Sequence, residues 1–110
     1  MGIGELSATV QFWLLLLTDV DGFYFPSGKQ PRLLRTVRKL TAPMEAVCNG
    51  QGKLGTGGMR SKLRAAKLAS EAGANVAIAN GRHAQAIPWA LERRIGTYFP
   101  PQRRKSSDGD

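Results

Sequence analysis

Residues 12–22 read Phe12-Trp13-Leu14-Leu15-Leu16-Leu17-Thr18-Asp19-Val20-Asp21-Gly22, an apolar run that ends abruptly in a polar turn. How this run is read decides the fold. Leucine favours helix over strand. Yet the run is short, and Asp and Gly close it with turn chemistry. A short unbroken apolar segment bounded in this way predicts a strand covered on both faces, as in parallel sheets.

Working outward, Pro26, Gly28 and Pro31 punctuate a polar loop. Residues 33–48 are ambiguous: Leu33, Leu34, Val37 and Leu40 have helical spacing, but Pro43 breaks it. Gly50, Gly52, Gly55, Gly57 and Gly58 form a glycine-rich connector, read as mobile. A helix is predicted from Met59 to Ala72, with Met59, Leu63, Ala66 and Ala69 near one face and Gly73 as its stop. Asn75 to Ala79 reads as a buried strand. Gly81 turns the chain, a second helix covers Ala84 to Arg93, and Gly96 to Phe99 reads as a last strand ended by Pro100 and Pro101. Residues 103–110 read as a disordered basic and polar tail. The alternation of strand and helix predicts an α/β layer with a mainly parallel sheet.

Composition narrows the chemistry. A chain of 110 residues holds one domain at most. With one cysteine, Cys48, and one histidine, His83, neither an internal disulfide nor a Cys- or His-rich metal cluster can be built. The apolar run is far shorter than the ~20 residues of a membrane helix. It also lacks a basic leader and a small-residue cleavage site, so the expected location is cytoplasmic. The net charge of +8 points to an anionic partner, although a solvated basic surface gives the same number.

The segment Gly55-Thr56-Gly57-Gly58 carries the sharpest signal. Glycines let backbone N–H groups approach phosphate oxygens, and the start of a helix adds its dipole. The first turns after it hold Arg60, Ser61, Lys62 and Arg64, with no acid before Glu71. A helix start ordinarily attracts Asp or Glu, so a bound anion would account for this placement. Lys62 can reach a phosphate as a mobile point charge. The segment is not a P-loop, because no Gly-Lys-Ser/Thr closes it. An ordinary surface loop has the same glycine content. Thr18 and Asp19 stand at the C-terminal end of the first strand, where open α/β sheets bind ligands; a plain tight turn is the alternative. His83 reads as a surface residue, and Trp13 and Trp89 as core or interface aromatics.

Leu14 to Tyr24 and Lys53 to Leu63, taken together, resemble the glutamate 5-kinases of the amino-acid-kinase family. The resemblance continues through Ala65-Ala66, Ala72-Gly73, Asn75 to Ala79, Gly81 and Gly96 to Phe99, and covers residues 5–102 in order. It implies a three-layer α/β/α fold and ATP-dependent phosphorylation of the γ-carboxylate of L-glutamate in proline biosynthesis, with Mg²⁺ accompanying the nucleotide. It places Thr18, Asp19, Gly55, Thr56, Gly57, Gly58, Met59, Arg60, Ser61 and Lys62 around ATP. Lys62 has the further role of stabilising the transferring phosphoryl group.

Members of that family carry a large N-terminal half ahead of this region, with a first phosphate-binding glycine loop, its own lysine and most of the glutamate-binding loops. Gly2-Ile3-Gly4-Glu5 stands where the family has an acidic-Asn-Asp run. The expectation is therefore a truncated kinase domain over residues 1–102, a nucleotide-binding half that does not turn over alone. Self-association and docking on an intact kinase are the expected protein contacts. The alternative from another class is a basic nucleic-acid-binding module, which the charge favours and for which no RNA- or DNA-reading motif is present.

Overall fold

The computed structural model describes residues 11–51 and 58–102. Five strands and three helices follow in the order β1 (Trp13–Thr18), β2 (Tyr24–Ser27), β3 (Gln30–Leu33), α1 (Ala42–Gln51), α2 (Met59–Glu71), β4 (Asn75–Asn80), α3 (Ala86–Leu91) and β5 (Thr97–Phe99). The leucine run is thus a strand, but not one covered on both faces as expected: its residues are half-buried and Leu17 is exposed, because β1 stands at the edge of the sheet among the described strands. The central sheet has the order β1-β4-β5, and β2 and β3 form a separate antiparallel hairpin.

β1 and β4 pair in parallel, from Trp13 opposite Asn75 to Thr18 opposite Asn80. β5 runs antiparallel to β4, with Val76 opposite Phe99. The sheet is therefore mixed, which corrects the expectation of a mainly parallel one. α3 has only six residues, about 9 Å, and the turn after it sets the chain down at the end where β4 stopped, so β5 runs back beside it. Two left-handed residues make this reversal, Arg93 (φ 60°) and Gly96 (φ 85°). A Cβ on Gly96 would collide with the Ile78 carbonyl oxygen, so only glycine fits there.

Alternation along β4 divides the core. Val76 and Ile78 face one side, with Leu63 and Ala66 of α2, Phe23, Val37 and Phe99; Leu14, Leu16 and Met59 pack against this cluster. Ala77 and Ala79 face the other side, against Ala90 of α3, with Trp13, Leu15 and Ile95 at its margin. Small alanines on this second face let α3 lie close. Each large side chain in the first cluster contributes roughly 1.5–3 kcal/mol by burial.

α2 follows the predicted face, with Leu63 and Ala66 buried and Met59 and Ala69 half-buried. Ser70, not anticipated, is buried as well. Gly73 stops the helix in a left-handed conformation (φ 101°), and the Ala74 N–H donates back to the Ala69 carbonyl at 3.0 Å.

Three readings change. Residues 34–41 form an irregular segment, and Pro43 stands in the first turn of α1, where its missing N–H costs nothing. The Thr41 hydroxyl receives the Met44 N–H at 3.4 Å, and Gly50, expected in the connector, belongs to α1. The second helix is shorter than the predicted Ala84 to Arg93, because the left-handed Arg93 and the preceding turn end it early. Gly52, Gly55, Thr56 and Gly57 of the expected glycine-rich connector and residues 103–110 of the expected tail lie outside the described residues.

Candidate functional site

β1 and β4 are parallel, so Thr18 and Asn80 end at the same edge of the sheet. α2 spans 13 residues, about 20 Å, and only three residues separate it from β4. Packed on β4 through Leu63 and Ala66, it runs antiparallel to the strands. Its N-terminus therefore returns to the edge that carries Thr18 and Asp19. Segments far apart in sequence, residues 18–22 and 58–62, are brought to one end of the sheet by this geometry.

The turn after β1 is anchored to its neighbours. Asp21 Oδ1 accepts a hydrogen bond from Asn80 Nδ2 at 3.1 Å, and Asn80 Oδ1 accepts the Arg82 N–H at 2.9 Å. Asp21 Oδ2 accepts from the Tyr24 hydroxyl at 3.3 Å. Desolvation, and then the charge and hydrogen bond of Asp21, hold the Tyr24 phenol above its ordinary pKa. Beneath the turn lies Thr97, fully buried on β5. Its Oγ1 accepts the Phe23 N–H at 2.9 Å and donates to the Leu34 carbonyl at 2.6 Å. Gly22 (φ 151°) makes room for it, since a Cβ there would lie 2.7 Å from Thr97 Oγ1. One hydroxyl thus fixes both ends of the β2–β3 hairpin against the central sheet.

Arg35 adds a second anchor, donating from Nε to the Gly96 carbonyl at 3.1 Å and from an Nη to the Arg93 carbonyl at 3.1 Å. Sequence reading passed over Asn80, Thr97 and Arg35. Their partners lie between 58 and 74 residues away along the chain, and no local pattern marks such pairings.

At the start of α2, Gly58 is the N-cap residue and supplies no side-chain cap, and the first turn holds no acid. The Gly58 carbonyl takes the Ser61 N–H at 3.0 Å and the Lys62 N–H at 3.4 Å. The N–H groups of Met59 and Arg60 precede any intrahelical partner. Arg60, Ser61 and Arg64 are exposed, and Lys62 is half-buried. Helix dipole and side-chain charge are thus both positive at this end, an arrangement suited to an anion. Of the expected ATP-contacting residues, Thr18, Asp19 and Gly58 to Lys62 come to one edge of the sheet. Gly55, Thr56 and Gly57 fall outside the described residues.

His83 precedes α3 as expected. Its Nδ1 accepts the Gln85 N–H at 2.9 Å, and its ring lies 4.9 Å from that of Trp89. Trp89 also carries the Arg94 guanidinium 4.2 Å above its ring. Trp13 packs against Tyr98, with ring centroids 5.7 Å apart. Trp13 and Trp89 are packed against neighbours, as the sequence reading has it, whereas His83, read as a surface residue, is half-buried. Among the described residues no helix is long and apolar enough to cross a membrane.

A strand–helix–strand unit whose helix starts with cations and without a side-chain cap from Gly58, at the C-terminal edge of the parallel pair, is an arrangement with which α/β proteins can receive an anion. The amino acid kinase family model matches residues 5–80, and the chain belongs to that family. Among its relatives are glutamate 5-kinases. That of Clostridium acetobutylicum is 41% identical over 96 residues, which cover 83% of this chain and 36% of the relative. That of Geobacter sulfurreducens is 41% identical over 93 residues, covering 80% of this chain and 25% of the relative. A crystal structure of a protein from Aeropyrum pernix K1 superposes with a TM-score of 0.58 at 26% identity, covering 82% of this chain and 28% of that one. The chain thus spans about a quarter to a third of the length of the proteins it matches.

Proposed function

We propose that this chain is the nucleotide-binding part of a glutamate 5-kinase, serving ATP-dependent transfer of a phosphoryl group to the γ-carboxylate of L-glutamate. The observation that carries the reading is the uncapped, acid-free start of α2 at the same sheet edge as Thr18 and Asp19, in a chain whose relatives bear that name. In this reading the N–H groups at the start of α2, which have no intrahelical partner, and those of Gly55 to Gly58 receive the phosphates. Thr18 and Asp19 line the nucleotide, and Met59, Arg60 and Ser61 flank it. Lys62 is the catalytic cation. ATP, arriving with Mg²⁺, supplies the phosphoryl group. The protein contributes positioning and charge, which dominate phosphoryl transfer. The cytoplasm and proline biosynthesis are the expected setting.

On this reading the isolated chain binds nucleotide without useful turnover. In-line transfer needs acceptor, γ-phosphate, Mg²⁺ and cations held together. The glutamate-binding loops and the second lysine implied by the family resemblance have no counterpart in the sequence between Glu5 and Gln102. Two measurements test these statements. In calorimetric titration with Mg-ATP, Lys62→Ala loses a charge-assisted hydrogen bond of about 1.5–3 kcal/mol, while Lys29→Ala, an exposed cation on the β2–β3 turn, has little effect. Equal losses would reduce the site to general electrostatics. With glutamate and hydroxylamine trapping, rates near ordinary enzyme values, roughly 1–10³ s⁻¹, that vanish in Lys62→Ala would show that this region carries the whole active site.

A further inference from the structure

Away from the nucleotide edge, a second cationic feature lies toward the C-terminal end of α2. A cleft of about 310 Å³ opens between the segment after β3, the end of α2 and the chain leaving β5. Its floor is apolar, formed by the buried Val37 and Phe99. Its walls are tied together by hydrogen bonds. The Val37 N–H donates to the Tyr98 carbonyl at 2.8 Å, the Gln102 N–H to the Ser70 carbonyl at 2.7 Å, and Gln102 Nε2 to the Arg38 carbonyl at 2.7 Å. Three segments distant in sequence are thus locked into one concave surface, and the cleft is formed before any ligand arrives.

Three cations line it: Arg38 and Lys39 from one wall, Lys67 from the other. Glu71 is the acid among the lining residues, so the local balance is three positive charges to one negative. Among the described residues the one ion pair is Arg94 with Glu92, so none of the three cations has a carboxylate of those residues within 4.0 Å. Three like charges beside one acid repel one another. Gln102 Nε2 holds the Arg38 carbonyl on one wall and the Ser70 hydroxyl donates to the Lys67 carbonyl at 3.1 Å on the other, so the backbones that carry these exposed cations are fixed and the cleft presents an electropositive surface to a ligand. We infer that this cleft binds a compact anion carrying at least two negative charges, of the pyrophosphate class, separately from the nucleotide edge. The net +2 of the lining sets the charge, and the volume, at the lower end for small-molecule sites, sets the size.

The test is a titration of the full chain with sodium pyrophosphate at low salt, followed by amide chemical shifts. Saturable shifts are expected at Leu40, Ser70, Phe99 and Gln102. The dissociation constant read from those amides should weaken at least fivefold in Arg38→Ala and in Lys67→Ala. Lys29→Ala, which removes an exposed cation on the β2–β3 turn, should leave it unchanged. Shifts at Arg60 and Ser61 report the nucleotide edge, so occupancy of the two places is read independently. Shifts confined to residues 58–62, or an equal loss in Lys29→Ala, would overturn the assignment.

Discussion

Thr97→Val is the substitution that most directly tests how the hairpin and the turn after β1 are held. Valine keeps the branched shape and nearly the volume of threonine, so it opens no cavity. It removes one oxygen that serves two backbone groups, the Phe23 N–H at 2.9 Å and the Leu34 carbonyl at 2.6 Å. Thr97 has 0% exposure and Phe23 1%, so water cannot replace the bond to the N–H. Each buried polar group left unpaired costs about 1–3 kcal/mol. Leu34 is only half-buried and its carbonyl recovers part of the loss, so the sum is about 2–4 kcal/mol. For a domain of this size that lowers Tm by about 10–25 °C. Urea denaturation followed by tryptophan fluorescence and circular dichroism measures it, with an unchanged m-value expected. Thr97→Ser keeps the hydroxyl and gives up one methyl, a loss of about 1 kcal/mol. If Thr97→Val were no worse than Thr97→Ser, the hydroxyl would not be the clamp described.

Gly96→Ala places a Cβ against the Ile78 carbonyl oxygen at φ 85° and is expected to destabilise the chain by about 3 kcal/mol or more; a loss below about 1 kcal/mol in the same denaturation experiment would contradict that geometry. Self-association is expected through β1. The carbonyls of Phe12 and Thr18 accept from β4 and its following turn at 2.8 Å, so by alternation Trp13, Leu15 and Leu17 direct their backbone groups to the outer edge, which no described strand covers. Leu17, 44% exposed, carries no charge to block pairing. Sedimentation velocity should show concentration-dependent dimers that Leu17→Lys suppresses, and unchanged dimerisation in that variant would place the contact elsewhere.

The sequence alone was enough for the elements whose signals are local. The leucine run closed by Asp21 and Gly22, the Met59 helix stopped by Gly73, and the Asn75 to Ala79 strand each carry pattern and punctuation within a few residues, and each forms where expected. The family was legible for the same reason, because its motifs are short contiguous blocks around Leu14 to Tyr24 and Lys53 to Leu63. The direction of β5 was not legible, because it depends on where the turn through Arg93 and Gly96 sets the chain down beside β4. Pro43 looked like a breaker because its position within a helix cannot be known until the helix start is known. Thr97, Asn80 and Arg35 drew no notice, since a hydroxyl, an amide and a guanidinium acquire a role only from partners dozens of residues away. Short-range propensity writes the strands and helices into the chain. Which polar groups face one another when those elements pack is a property of distances in space, and tertiary structure alone decides it.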